Sequence, residues 1–341
     1  MVLKLPGAVA GLGRDAAVAA HYGDPFREQR ALLERVGFVD RSHRGVISVS
    51  GEDRLSWLHT LTTQHLENLA PFTSTEALVL SPQGRVEHHM MITDDGQTTW
   101  LDVEAEDTAG LLAYLESMRF MLRVEPTDVT ESWARIDVIG DELPSELLGA
   151  PAPTEMWEAV ALPAGGFARR VPWPGPHNLE LLAPKATLED VASQLEGFTA
   201  AGLDAYEALR VAAQRPRLGA ETDAHTIVQE SSWVNTAVHL NKGCYRGQET
   251  VAKVQNLGQS PRKLVLLHLD GSTDELPPMG EPVFRADRPD KQVGFVGTSA
   301  RHADLGTIVL AVIKRAVRPD VPLMVGTSAA QVDAENVPAT L

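Results

Sequence analysis

The spacing of hydrophobic and polar residues changes between helical and strand periodicity along residues 25–120. Residues 25–36 are predicted to form a helix, because Asp24 suits the N-cap, Pro25 the first turn and Gly37 the residue after the C-terminus. Alternating apolar residues and leucines at helical spacing predict the elements that follow. These are strands at 46–51, 77–80, 86–93 and 98–103, and helices at 52–61 and 108–120.

A similar order of elements returns after a proline-rich, loop-like stretch at 141–153. Strands are predicted at 167–171 and 179–182, and helices at 188–195 and 205–213. Mixed strands and helices that arrive twice in the same order predict an α+β body built from two related halves.

The residue pattern changes after Pro261, where short apolar stretches are separated by Gly, Pro and Asp and no helical segment intervenes. This pattern predicts a C-terminal antiparallel β-barrel of about 80 residues. The resulting division is an N-terminal arm at 1–24, a first α+β half at 25–140, a second at 141–258 and the barrel at 259–341, with a frayed end at 333–341. The barrel strands are predicted at 263–269, 282–284, 292–298, 307–313 and 322–325.

Charge and cysteine content narrow the classes of function. The formal net charge of −16 argues against direct binding of nucleic acid, since phosphate neutralisation needs a basic surface. Cys244 is the only cysteine, which excludes an internal disulfide and argues against a Cys/His zinc site, so no metal site is expected. No signal peptide and no apolar stretch of membrane-spanning length is found. A cytoplasmic protein without a membrane anchor is therefore expected.

The single cysteine lies in a segment with unusual neighbours. Gly243 and Gly247 flank it and permit a tight turn, which is predicted to lead into the N-terminus of a helix. Lys242 and Arg246 bracket the cysteine, and nearby cations and a helix N-terminus both stabilise a thiolate. A reactive Cys244 is thus one interpretation, and a small buried apolar residue is the other.

Residues 242–249, with the sequence KGCYRGQE, match the K-G-C-Y-x-G-Q-E signature of the YgfZ family, and the chain resembles that branch of the aminomethyltransferase superfamily. Residues 37–62, 202–216 and 251–253 are also similar to segments of the superfamily. The resemblance spans most of residues 25–330. It implies two intertwined α+β domains that form a folate-type cavity, followed by the barrel.

The resemblance also implies a function and a set of site residues. Tetrahydrofolate or a derivative is the expected cofactor, and assembly or repair of iron–sulfur enzymes is the expected role, with client or assembly proteins as partners. Cys244 and Lys242 are the expected catalytic residues. The expected cofactor-binding residues are Tyr206, Arg44, Tyr245, Gly247, Gln248, Glu249 and His88.

Two departures from the better-known relatives keep other functions open. Those relatives carry an aspartate pair where this chain has His88 and His89, and an acidic residue where it has Ala212. Aminomethyl transfer would need an acid near the pterin, for which Glu87 and Glu104 are candidates. The alternatives are therefore a tetrahydrofolate-dependent aminomethyl- or methyltransferase and a non-catalytic scaffold with a vestigial pocket. Because neighbours on a strand point to opposite faces, at most one of the two histidines is expected to face the cavity.

Overall fold

The computed structural model describes residues 5–175 and 177–334, apart from the side chains of Glu189 and Leu257. The helices of the described part are α1 (Pro25–Glu34), α2 (Arg54–Leu61), α3 (Thr108–Ser117), α4 (Leu188–Gln194), α5 (Leu203–Ala212), α6 (Trp233–Thr236) and α7 (Gln248–Leu257). Its strands are β1 (Val9–Ala10), β2 (Ala19–His21), β3 (Gly37–Asp40), β4 (Gly45–Ser50), β5 (Thr73–Leu80), β6 (Val86–Asp94), β7 (Thr98–Val103), β8 (Glu125–Asp128), β9 (Trp133–Ile139), β10 (Glu146–Leu147), β11 (Ala150–Pro151), β12 (Ala159–Ala161), β13 (Phe167–Val171), β14 (Asn178–Pro184), β15 (Thr199–Ala201), β16 (Arg262–Leu269), β17 (Pro282–Arg285), β18 (Arg288–His302), β19 (Gly306–Lys314), β20 (Leu323–Val325) and β21 (Ser328–Val332).

The chain divides into two compact units, and each unit is built from several segments. Unit 1 comprises the described residues of Met1–Val79, His88–Tyr206 and Asn241–Tyr245. Unit 2 comprises the described residues of Leu80–Glu87, Glu207–Leu240 and Arg246–Leu341. The chain therefore returns to unit 1 for the five residues that include Cys244.

Unit 1 contains two mostly antiparallel sheets. One has the order β5-β6-β7-β4-β8, and the other has the order β12-β13-β14-β9-β3-β15. Helices α2 and α3 cover one face of the first sheet through a core that includes Trp57, Leu111 and Leu115. Helix α4 covers one face of the second through Leu188 and Val191. The remaining faces meet each other across both apolar contacts and buried charges.

Unit 2 contains the predicted barrel, which is closed in the order β16-β19-β18-β17-β20-β21. Its interior is filled by branched side chains such as Val265, Val296 and Ile313. On the outside, Ala208 and Val211 of α5 pack against β16 and β19. The mixed α+β fold with a C-terminal antiparallel barrel is thus as the sequence predicts.

Most predicted elements are confirmed, and the N-cap of α1 is made as expected, with Asp24 accepting from the backbone N–H groups of Phe26 and Arg27. The prediction that Gly37 caps this helix is wrong, since α1 ends at Glu34 and Gly37 begins β3. A Cβ at Gly37 would lie 2.8 Å from Thr199 O, so glycine is needed there for the close approach of β15.

Other predicted boundaries also change. Helix α3 ends at Ser117 rather than at 120, because Phe120 has a φ of 47° and is exposed. The predicted loop at 141–153 contains the short hairpin β10–β11, and the N-terminal arm contains the ribbon β1–β2. Asp333, predicted to be frayed, donates its backbone N–H to Leu266 O, while 335–341 lie outside the described residues.

In the part of the chain that the structure describes, no helix combines the length and the apolar character needed to cross a membrane.

Candidate functional site

The segment that carries Cys244 is anchored in unit 1 by a buried lysine. Lys242 Nζ donates to three backbone carbonyls, His59 O, Thr62 O at 2.7 Å and Gln64 O at 2.9 Å. These carbonyls lie at the C-terminus of α2, where the last C=O groups lack partners within the helix. Burial lowers the pKa of Lys242 to about 8. These contacts fix the position of the Lys242 side chain, and its catalytic role stays a prediction.

Cys244 and Tyr245 have opposite environments. Cys244 is exposed and free. The Tyr245 ring is buried with Lys242 Nζ 5.3 Å from its centroid, and burial raises the pKa of its hydroxyl to about 12. The side chains of Lys242 and Tyr245 are therefore buried, and the thiol of Cys244 between them is exposed to solvent. The interpretation of Cys244 as a buried apolar residue is wrong.

The rest of the signature lies in unit 2. Gly247 has a φ of 82° and precedes the first residue of α7, so the predicted glycine turn into a helix is confirmed. A Cβ at Gly247 would lie 2.6 Å from Ser81 O, so the turn at 81–84 also requires glycine there. Gln248 is half-buried and Glu249 is exposed in the first turn of α7, where a carboxylate complements the helix dipole.

A network of buried charges joins the two sheets of unit 1. Asp102 on β7 accepts from Arg44 Nε at 2.5 Å, from Arg135 Nη1 at 2.8 Å and from Arg169 Nη2 at 2.7 Å. Burial alone raises the pKa of Asp102, but the three guanidinium groups together bring it well below its usual range. Further bonds of these arginines go to Glu104, Asp137 and Glu180.

Arg44 is therefore paired with carboxylates through two of its three guanidinium nitrogens. It was predicted to contact the cofactor, but its Nε and Nη1 donate to Asp102 and Glu104. The carboxylate of Glu104, one of the two candidate acids, is therefore paired with the Arg44 guanidinium. Glu87, the other candidate, is in unit 2 and pairs with Arg246 at 3.2 Å on the surface. Each of the two candidate acids is thus paired with an arginine.

Arg41 is a buried arginine with unused donors. It is 2% exposed, and neither Nε nor Nη1 has a hydrogen-bond partner among the described residues. Its guanidinium lies 4.0 Å from the centroid of the Tyr206 ring, and Asp137 Oδ2 is 3.6 Å from Nη1. The predicted aromatic residue Tyr206 thus forms, with Arg41, a flat cationic surface that carries unpaired donors.

The two histidines of β6 point to opposite faces, as predicted. His88 is half-buried on the side of α3, where Nδ1 lies 2.6 Å from Asp107 Oδ1 and the ring lies 6.1 Å from that of Tyr114. His89 is buried on the other face, with Nε2 2.8 Å from Glu76 Oε2. His88, the predicted cofactor ligand, therefore faces α3, and His89 faces the second sheet.

Within unit 1, the predicted residues make three sets of contacts. Lys242, Cys244 and Tyr245 form the anchored segment, Tyr206 lies with Arg41, and Arg44 lies in the charge network. Ala212, where relatives have an acid, packs with barrel side chains of unit 2. The described residues contain no group of three or more His, Cys, Asp or Glu side chains that could hold a metal ion.

Five buried charged residues of unit 1 are not among the residues that the sequence predicts for the site. They are Arg41, Glu76, Asp102, Arg135 and Arg169. Asp102 and Arg135 do carry a local signal, because each is a charged residue between two apolar residues of a strand. Such residues are rarely buried without partners, so they indicate a polar network between sheets.

Comparisons with known proteins agree with this architecture. Residues 19–158 match the family model described as GCVT N-terminal domain. An aminomethyltransferase of Synechococcus sp. is 26% identical over 267 residues, which cover 72% of this chain and 71% of that protein. A mitochondrial iron–sulfur cluster assembly factor IBA57 homolog of Aspergillus oryzae is 24% identical over 336 residues, covering 85% and 72%.

The fold is matched by a solved structure. Glycine cleavage system aminomethyltransferase T from Bartonella henselae superposes with a TM-score of 0.84 at 18% sequence identity, over 96% of this chain and 93% of that one. Residues 19–158 are therefore similar to the GCVT N-terminal domain, and the chain has the fold of aminomethyltransferase T.

Proposed function

We propose that this chain is a tetrahydrofolate-binding accessory protein that supports the assembly or repair of iron–sulfur enzymes, with Cys244 as its reactive group. The observation that carries the proposal is the exposed thiol on a segment that a buried lysine fixes to α2. The similarity to an iron–sulfur cluster assembly factor homolog over 85% of the chain supports the same role. The KGCYRGQE segment supports the YgfZ branch in particular.

The residues around Arg41 fit a folate. A buried guanidinium with unused N–H groups is destabilising by about 1–3 kcal/mol for each group unless a ligand supplies acceptors. The ring nitrogens and carbonyl of a pterin, or a glutamate carboxylate, supply such acceptors. When bound, tetrahydrofolate would carry one-carbon groups. Arg41 would bind and orient its polar edge, and Tyr206 would hold that guanidinium in place.

Cys244 fits a role in which the thiol meets a partner. Exposure makes it accessible, and the carbonyl bonds of Lys242 keep the segment in one conformation. A four-iron cluster normally takes several thiolates, so one cysteine would hold a cluster only with thiolates from another molecule. A client or assembly protein supplies these in the proposed function, and a cytoplasmic site is proposed with it.

The first test is a calorimetric titration with tetrahydrofolate. We expect measurable binding to the wild type and at least tenfold weaker binding to Tyr206→Ala, because the support for Arg41 is lost. Tyr206→Phe keeps the ring and serves as the matched control, with affinity close to the wild type. Absence of binding to the wild type would remove the folate part of the proposal.

The second test concerns the thiol. In a strain deleted for the gene, Cys244→Ala is expected to fail to restore iron–sulfur enzyme activity while it binds tetrahydrofolate normally. Because Cys244 is the only cysteine, alkylation of the wild type reports on this one thiol. Full restoration by Cys244→Ala would favour a scaffold with a vestigial pocket.

The second candidate function is aminomethyl transfer, favoured by the aminomethyltransferases among the relatives. The engaged state of Glu104 and the surface position of Glu87 count against it, since the reaction needs an acid near the pterin. The buried pair His89–Glu76 is a candidate source of a proton for this reaction. Transfer of an aminomethyl group to tetrahydrofolate by the purified protein, abolished in His89→Ala, would establish this alternative.

A further inference from the structure

Unit 2 contains a cavity that the proposed function does not use. Its volume is about 250 Å³, which corresponds to about eight water molecules. It lies where α7 ends, and its wall includes Gln229, Gln255, Gln259, Ser260 and Arg315. Polar and apolar side chains both contribute, since Val234 and Val254 also line it. The cavity is thus of a size for a small polar metabolite.

One wall of the cavity carries a guanidinium that is held in a fixed orientation. Arg315 Nε donates to Ser260 O at 2.7 Å, and Nη2 donates to Ser260 Oγ at 2.5 Å. Ser260 is itself buried and donates its hydroxyl to Arg262 O at 2.7 Å. Within residues 5–175 and 177–334, no partner is found for Arg315 Nη1. Two edges of the guanidinium are therefore used for positioning, and one is left for a ligand.

The end of α7 offers hydrogen-bond acceptors, in contrast to the guanidinium of Arg315. Helix α7 ends at Leu257, and Gly258 N donates to Val254 O at 3.2 Å, so the carbonyls of residues 255–257 have no donor within the helix. They carry the negative end of the helix dipole, which favours a cation. Gln229 adds a buried acceptor, because its Nε2 donates to Val251 O while Oε1 has no partner among the described residues.

We propose that this cavity binds a free α-amino acid. A carboxylate on Arg315 Nη1 and an ammonium group on the carbonyls at the end of α7 would match both poles of the cavity. Among the described residues that line the cavity, Arg315 is the one arginine and none is a lysine. A monoanionic carboxylate is balanced by it, whereas a phosphate dianion is not. The side chain would lie against Val234 and Val254.

Thermal unfolding of the full chain with L-leucine, L-alanine and L-glutamine as probes tests this proposal. At about ten times the Kd, a bound amino acid is expected to raise the Tm by about 2–4 °C. Acetate and methylammonium, each with one of the two charges, are expected to give no shift at the same concentration. An equal shift with acetate, or no shift with any amino acid, would overturn the proposal.

Two variants locate the effect. Arg315→Gln is expected to abolish the shift, whereas Arg318→Gln, which changes an exposed arginine paired with Asp320, is expected to keep it. Val234→Phe leaves Arg315 intact but fills the cavity, and it provides the answer if Arg315→Gln does not fold. An undiminished shift in Val234→Phe contradicts binding in this cavity. The folate titration is independent of these results, because Tyr206→Ala should keep the amino-acid response.

Discussion

Two buried arginines of the same sheet in unit 1 have opposite surroundings. Arg135 lies on β9 and is 4% exposed, and its guanidinium donates to Asp102, Asp137 and Glu180. Arg41 directly follows β3 and is 2% exposed, yet two of its nitrogens have no acceptor among the described residues. The backbone N–H of Arg41 donates to Arg135 O at 3.0 Å, so the two residues are immediate neighbours.

The comparison distinguishes Arg135, whose charge stabilises the fold, from Arg41, whose unused donors are open to a ligand. A buried ion pair has already compensated the desolvation of its charges, and the removal of one partner leaves the others uncompensated. A buried guanidinium with unused donors is compensated only in part, and a ligand that supplies acceptors could use the remaining N–H groups. Burial alone therefore does not single out a ligand-binding arginine, and the proposed role of Arg41 rests on its unused donors.

The strongest test of this contrast is Arg135→Met. It leaves three carboxylates with fewer cations, and we expect the free energy of unfolding to fall by about 3–5 kcal/mol. Chemical denaturation measures the effect. Arg318→Gln, on the surface, is the control and should change it by less than about 0.5 kcal/mol. A loss as small for Arg135→Met would mean that the network is not structural.

Lys242→Met tests whether the ammonium group anchors the cysteine segment. Three carbonyls lose their donor, so the free energy of unfolding is expected to fall by about 1–3 kcal/mol. Alkylation of Cys244 should change its rate in this variant, because the segment is no longer fixed. Lys253→Met, at an exposed position of α7, should leave both quantities near the wild-type values.

Arg41→Met tests the arginine of this pair that has unused donors. We expect tetrahydrofolate affinity to fall at least tenfold, equivalent to about 1.4 kcal/mol. The free energy of unfolding should stay within about 1 kcal/mol of the wild type, because unused donors are removed with the charge. Folate calorimetry and denaturation on the same preparation give both values. A stability loss as large as that of Arg135→Met would erase the distinction between the two arginines.

The pH dependence of stability gives the smallest effect. Burial lowers the pKa of Lys242 to about 8 from a usual value of 10.5, so between these values the unfolded chain binds more protons at this residue. Stability conferred through this group therefore rises with pH across that window, by about 1 kcal/mol from pH 8 to 9. The difference between wild type and Lys242→Met isolates it from other titrations. A difference that does not change with pH contradicts the lowered pKa.

Much of the fold could be predicted because local patterns and tertiary structure agree. Strand β7 and strand β13 have the bounds that alternation predicts, and Asp24 caps α1 as expected. Strand β21 was missed, since Ser328 to Val332 is rich in small residues and forms a strand only by pairing with β16 and β20. Its conformation depends on the closed barrel rather than on its own composition.

The site was less predictable because its chemistry depends on contacts between distant residues. The segment 242–249 could be recognised, and its glycine turn and helix followed from local rules. Nothing local indicates that Lys242 reaches three carbonyls near residue 62, or that Arg44 is engaged with two acids. The role of Arg41 depends on which acceptors are missing around it, and only the folded structure shows that.

The closure of the barrel has a consequence for solubility and assembly. Each strand has a neighbour on both sides, so the barrel presents no open edge that could recruit strands from another molecule. Strand β21 completes this ring by pairing with β20 and with β16. Removal of the chain from Ser328 onward would leave β16 and β20 with unpaired backbone groups. A chain shortened there is expected to aggregate, even though every residue of unit 1 would still be present.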